Sequence, residues 1–280
     1  MNLGIRAHDL AGLPLTRVPE EVSKLGLSSV QLALNKSFPE LDIKNGSLTP
    51  GLANYVGSHF RKHNIQIAVL GCYVNIIHPN LSERRLLLEL FKEHLRFAKD
   101  FGCSIVATET GNVHEKMEYT TDNFTEEAYL EVVKSVSELV EEAEKFGVIV
   151  GIEPGVNHPI YSPKVMRRLI DDVKSNNLQV IFDPANLLTE ENYKSQKIIF
   201  KEAFRLFGDR IVAVHAKDFA VNEGKFEFVP VGTGLLDYET VFKYLKHKKP
   251  YINILMENTK GTFVESGISY LKDKYKATIQ

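Results

Sequence analysis

A single closed α/β barrel of the (β/α)8 type, spanning residues 1–280, is the fold class this sequence predicts, on three observations. Short apolar runs of β character alternate with segments of helical periodicity along the whole chain, with no break in composition. Helices hand over to strands through recurring glycine exits: Phe101-Gly102, Phe146-Gly147 and Gly208-Asp209. Four residues able to bind a metal each stand just after a short apolar run: Glu153 after VIVGI, Asp183 after LQVIF, His215 after IVAV and Glu257 after YINILM. Their spacings are 30, 32 and 42 residues, each about one strand, one helix and two loops, so a parallel barrel would bring all four to one end.

In chain order, β character over Leu3–Ala7 leads to a helix at Val18–Lys24, β at Ser29–Ala33, a helix at Gly51–Lys62 and β at Gln66–Leu70. Leu87, Leu90, Phe91, Leu95 and Ala98 recur at helical spacing within a long helix, Glu83–Asp100, before the strand Ser104–Thr108. The helix Glu126–Lys145, strand Val148–Ile152, helix Pro163–Val173, strand Leu178–Phe182 and helix Glu191–Leu206 continue the cycle. The strand Arg210–Val214, helix Tyr238–Lys246, strand Tyr251–Met256 and helix Phe263–Lys274 close it. An open doubly wound sheet would carry a glycine-rich phosphate turn after its first strand, and none stands there. Gly232-Thr233-Gly234 comes late and reads as a barrel loop.

Composition narrows the function. A hydrophobic fraction of 44%, a charged fraction of 25% and a net charge of −2 describe an average globular chain with no basic surplus for nucleic acid. Two cysteines, Cys72 and Cys103, in a chain of this size call for no disulfide and suit a reduced, cytoplasmic compartment. MNLGIRAHDL lacks the pattern of a secretory leader, and the longest apolar run, Ile65–Ile77, is broken by Gln66, Gly71 and Asn75. Neither secretion nor membrane insertion is expected. A homo-oligomer is compatible with the chain, dimers being the commonest assembly.

Each of the four candidate ligands has an ordinary reading by itself. Glu153 could lie on a surface loop, Asp183 before Pro184 could cap a turn, His215 could be a core histidine, and Glu257 could pair with a lysine. Falling at the ends of four successive strands, they instead point to a metal: a carboxylate after an apolar run is a costly core residue without a partner. Three carboxylates and one imidazole suit a six-coordinate divalent ion, Mn²⁺ foremost with Mg²⁺ or Co²⁺ as alternatives; Zn²⁺ fits less well. Two coordination positions would remain for adjacent oxygens of a hydroxyketone such as a ketose, and a cation polarising both stabilises the enediolate formed when the shared carbon loses its proton. Glu153 and Glu257 come from non-adjacent strands, so they can face opposite sides of the substrate as acid and base. Lys217, two residues beyond His215, is a candidate for an anionic substrate oxygen. Pocket candidates from other strand ends are His8 with Asp9, Tyr73 with Asn75, Glu109 with His114, and His158.

The segments GIEPGVN, IFDPANLL, VHAKDF, VGTGLLDY and ILMENT together resemble the xylose isomerase-like TIM barrel superfamily, in particular its sugar epimerase and sugar phosphate isomerase branch. That resemblance implies a TIM barrel and a divalent metal, often Mn²⁺, held by Glu153, Asp183, His215 and Glu257, with the two glutamates as the acid/base pair. Lys217 and Asp218 match the family's His-x-Lys-Asp pattern. Where many ketose epimerases carry a histidine three residues after the metal-binding aspartate, this chain has Asn186, which can hydrogen bond to substrate but does not titrate. The implied activity is a metal-dependent isomerase or epimerase acting on a small sugar. An inosose-type dehydratase begins with the same proton abstraction and is the nearer alternative. An endonuclease IV-like DNA repair nuclease is the more distant one: His78 is compatible, but Glu109 and Asn186 stand where that enzyme has histidines.

Overall fold

The computed structural model describes residues 1–10 and 12–278. The chain runs β1 (Asn2–Arg6), α1 (Val18–Lys24), β2 (Ser29–Leu32), α2 (Leu34–Ser37), α3 (Pro50–Lys62), β3 (Gln66–Gly71), α4 (Leu81–Phe97), β4 (Ile105–Thr108) and α5 (Glu126–Phe146). It continues through β5 (Ile149–Ile152), α6 (Pro163–Val173), β6 (Leu178–Phe182), α7 (Gln196–Phe207), β7 (Ile211–Ala216), β8 (Asp218–Asn222), β9 (Lys225–Val229), α8 (Tyr238–Lys248), β10 (Asn253–Met256) and α9 (Phe263–Ala277). Eight strands form a closed parallel barrel in the order β1-β10-β7-β6-β5-β4-β3-β2. The ring closes where β1 pairs with β10, from Asn2 opposite Asn253 to Ile5 opposite Met256. No helix among the described residues is long and apolar enough to cross a membrane.

All eight expected strands are present, with ends displaced by local chemistry. β7 runs on through His215 and Ala216, so the histidine lies in the strand, opposite Leu255, rather than after it. Tyr251 takes a left-handed φ of 61°, which delays β10 to Asn253. Asn80 caps α4 by accepting from the Ser82 and Glu83 amides, so the helix begins earlier than its apolar stripe suggests. Asn192 accepts from the Thr189 amide in a turn that holds off α7 until Gln196. Gly232-Thr233-Gly234 lies in a loop as expected, but two strands that the sequence reading did not assign precede it: β8 and β9 form an antiparallel hairpin, Asp218 opposite Val229, turning at Glu223-Gly224 with φ of 50° and 80°. Two successive positive φ values match the right-handed twist of a two-residue hairpin.

Alternate strand residues fill the barrel interior, and Val69, Ile105, Ala107, Ile181, Ala213 and Leu255 form a small enclosed cluster there. A larger core lies between strands and helices. Within it Phe182 meets Phe200, Phe204 and Phe207 of α7 at ring-centroid distances of 6.4, 5.2 and 6.2 Å. Burying each such ring contributes about 1.5–3 kcal/mol, and the cluster clamps the end of β6 next to Asp183.

Candidate metal centre

The interior parity continues upward to the C-terminal mouth. Two residues past Gly151, Ile181, Ala213 and Leu255 come Glu153, Asp183, His215 and Glu257, all buried. One ligand atom from each lies within 4.8 Å of every other. His215 Nδ1 is 3.2 Å from Glu153 Oε1 and 3.2 Å from Glu257 Oε2, so the two glutamates flank it.

Two tests bear on whether this set fits an ion. Asp183 Oδ2 and His215 Nδ1 are buried with no hydrogen-bond partner, an expensive state for polar atoms that a cation would relieve. On the other side of the ring, His215 Nε2 donates to Gln31 Oε1, which fixes the tautomer and turns the Nδ1 lone pair toward the carboxylates. Gln31 Nε2 donates to the Tyr73 hydroxyl at 3.0 Å, and that hydroxyl donates to Glu153 Oε2 at 3.0 Å. A chain of three hydrogen bonds therefore orients two ligands from behind. Oxygen and imidazole donors of this kind fit a divalent cation.

Asp183 Oδ1 accepts from the Ala185 and Asn186 amides at 2.9 and 3.2 Å, leaving Oδ2 free to point inward. Asn186 Nδ2 donates to Glu153 Oε1 at 2.7 Å, and Lys217 Nζ donates to Asn186 Oδ1 at 2.9 Å. The Lys217 ammonium is 2.9 Å from Glu257 Oε1; it lies 3.0 Å from Asp183 Oδ2 without aligning a hydrogen bond on it. Arg6 Nη1 donates to Glu257 Oε1 at 2.5 Å, while its other nitrogens hold Asp9 and Asn258.

These contacts set the charges. Burial alone would raise the Glu257 carboxyl, but Lys217, His215 and Arg6 pull it down to about 2. Burial raises Asp183 to about 6, with Lys217 opposing. Burial disfavours a charged His215, yet Glu153, Glu257 and Asp183 outweigh it and push the imidazole up to about 9. Without a metal, a proton therefore occupies the place a cation would take among the carboxylates.

The remaining expected residues divide by position. His8 and Glu109 line a cavity of about 60 Å³ above the four ligands, together with Arg6, Gln31, Lys36, Tyr73, Glu153 and Glu257. Asn186 and Lys217 sit among the ligands. His158 is buried behind Glu109, with Nε2 3.4 Å from its carboxylate and Nδ1 donating to the Gly111 carbonyl at 2.9 Å. Asn75 braces the loop after β4 through the Asn112 and His114 carbonyls, and His114 pairs with exposed Asp122; His78 engages the backbone of Asn80. Asp218 accepts from the amides of Phe219, Gly232, Gly234 and Leu236 at 2.9–3.1 Å, so the late glycine motif wraps a carboxylate of its own chain. Arg6, Gln31 and Lys36 were not expected at the site. Strand parity carries the signal for the first two: Gln31 is two residues past Ser29 and Arg6 two past Gly4, on the face that points inward.

Comparison with known proteins agrees with this architecture. A family profile described as xylose isomerase-like TIM barrel matches residues 19–274. The uncharacterized protein MJ1311 of Methanocaldococcus jannaschii is 24% identical over 208 residues, a match covering 71% of this chain and 66% of that protein. A xylose isomerase domain protein from Planctomyces limnophilus superposes with a TM-score of 0.73 at 22% identity, over 99% of this chain and 96% of its own. A D-tagatose 3-epimerase-like protein gives 0.77 at 19% identity over 99% and 98%. The IOLI protein, whose crystal structure contains a zinc atom, gives 0.76 at 17% over the whole of both chains. The chain belongs to the xylose isomerase-like TIM barrel family.

Proposed function

We propose that this xylose isomerase-like barrel is a divalent-metal-dependent sugar isomerase or epimerase that moves a proton on a ketose or related hydroxyketone through an enediolate. The observation that carries the reading is the placement of Glu153 and Glu257, each 3.2 Å from His215 Nδ1 and each from a strand not adjacent to the other's. Glu153, Asp183, His215 and Glu257 would hold the ion, Mn²⁺ by preference for its tolerance of oxygen-rich six-coordination, with Mg²⁺ or Co²⁺ as substitutes. When bound, the cation polarises the adjacent carbonyl and hydroxyl oxygens and lowers the cost of removing the proton between them. The chain's own groups do the rest. One glutamate takes the proton from a face of the substrate and the other returns it on the opposite face, the geometry of stereochemical inversion. Tyr73 and Asn186 hold the Glu153 carboxylate in position, and Lys217 with Arg6 keeps Glu257 ionised.

Solved structures of a D-tagatose 3-epimerase-like protein and of the zinc-containing IOLI on this fold support an enzyme of this class, with zinc as the metal to test against manganese. Incubation with a panel of ketoses in deuterated water plus Mn²⁺ tests the proposal. Expected is label uptake at a single carbon, lost in Glu257→Gln while the folded state persists. Unchanged uptake in that variant removes Glu257 from the chemistry. Loss of water from the labelled product would assign the protein to dehydration instead.

A further inference from the structure

We infer that the hydroxyketone taken by this site carries an oxyanionic group, phosphate or carboxylate, at the end remote from the metal ligands, and that Lys36 and His8 receive it. The inference rests on the function proposed above and concerns the other end of the same substrate.

The cations nearest the ligands are already engaged. Arg6 is divided between Asp9, Asn258 and Glu257. Lys217 is 4% exposed, donates to Asn186 and stands 3.0 and 2.9 Å from the Asp183 and Glu257 carboxylates, so its charge is already compensated inside the ligand set. Glu109, the carboxylate on the β4 side of the cavity, faces His158. Lys36 differs: it is exposed, among the described residues no carboxylate lies within ion-pair distance of it, and it lines the site cavity. Its Nζ stands 5.1 Å from the centroid of the Tyr73 ring, whose hydroxyl donates to Glu153. Lys36 is thus one aromatic ring away from the metal ligands.

His8 is the second half of the subsite. It is half-buried, its Nδ1 is enclosed with no hydrogen-bond partner, and it lines the same cavity. The two residues also mark a throat. His8 and Lys36 line both the inner cavity of about 60 Å³ and an outer one of about 440 Å³, whose wall also includes Leu13, Ser37 and the acidic Glu40, which does not line the inner one. A chain of carbons starting at the ligands therefore leaves the inner space between an uncompensated ammonium and an imidazole lacking a partner. A neutral hydroxymethyl end offers the hydrated Lys36 ammonium no charge in exchange for its water, whereas an oxyanion pairs with it and accepts from the imidazole as well.

The test titrates the Mn²⁺-loaded protein by calorimetry with three matched probes: a neutral ketose, its terminal phosphate ester and its terminal carboxylate form. A charged hydrogen bond of this kind makes at least one anionic form bind about tenfold more tightly than the neutral ketose, and which one binds identifies the source of the oxyanion. Lys36→Met brings that affinity ratio toward one, while Lys243→Met, on the exposed side of α8, leaves it as in the wild type. Equal affinity for neutral and anionic forms alongside intact deuterium uptake overturns this inference alone. An anion preference that survives Lys36→Met also overturns it, by placing the anion on the metal. Binding of none of the three probes overturns both this inference and the proposed function.

Discussion

Replacing Gln31 by leucine probes the metal centre without touching a ligand. Gln31 is 1% exposed; it accepts from His215 Nε2 and donates to the Tyr73 hydroxyl at 3.0 Å. Leucine occupies similar space but strands the imidazole N–H in the barrel interior, and a buried donor without a partner costs about 1–3 kcal/mol. The chelated variant should therefore melt lower, at about 2–4 °C for each kcal/mol lost in a chain of this size. The second effect is on the ion. Loss of the group that orients a metal-bound histidine typically weakens affinity about 10–100-fold, or about 1.4–2.7 kcal/mol. Because binding to the folded state alone stabilises by RT ln(1 + [L]/Kd), the gain in melting temperature at a fixed Mn²⁺ concentration should shrink by the same energy. Calorimetric Mn²⁺ titration and thermal unfolding with and without chelator measure the two separately. Gln31→Glu keeps an acceptor for the imidazole and should retain most of the affinity. Wild-type Mn²⁺ affinity in Gln31→Leu would refute the reasoning, because the histidine would then need no support from behind.

Other outcomes follow from the same geometry. With His215 raised to about 9 in the metal-free protein, Mn²⁺ near neutral pH must displace a proton; titration in buffers of different ionisation enthalpy should register about one proton released per ion. The raised imidazole stabilises the metal-free fold fully below its ordinary 6.5 and ceases to as pH climbs through about 9. The chelated protein should accordingly lose melting temperature across that window while Mn²⁺ affinity rises; a flat profile in both would contradict the assignment. In Gly234→Ala, the added Cβ would stand 2.3 Å from the Phe219 carbonyl oxygen and 2.4 Å from Asp218 Oδ1, so displacement should cost about 1–3 kcal/mol by denaturant unfolding. Phe182→Ala, at the centre of the α7 clamp, should cost about 3–5 kcal/mol.

The barrel was readable because each strand is a short β-branched run and each helix repeats an apolar stripe, two periods that do not imitate one another. The four candidate ligands were readable for a related reason, since a charged residue directly after an apolar strand is conspicuous in one dimension. Gln31 and Arg6 were not, because Gln31 sits inside a strand pattern and Arg6 ends one in a way that suits any exposed arginine. Only counting by twos from Ser29 and Gly4 places them beside His215 and Glu257. The hairpin of β8 and β9 escaped notice because Lys225-Phe-Glu-Phe-Val pairs with Asp218–Asn222 alone and contributes nothing to the barrel's repeat. Lys217 illustrates the opposite limit: its position was legible, but its three partners come from elements 31 to 40 residues away.

The pairing of β1 with β10 has a consequence for the order in which the centre can mature. Glu257 follows β10, and the guanidinium that grips it, Arg6, ends β1; Gln31 and Tyr73, which steady His215 and Glu153, come from the opposite half of the chain. During synthesis these early side chains wait for counterparts 80 to 251 residues downstream. Under the proposed metal binding, a complete set of supported ligands would exist only once the cylinder has closed at β1 and β10, so ion affinity would report closure in register.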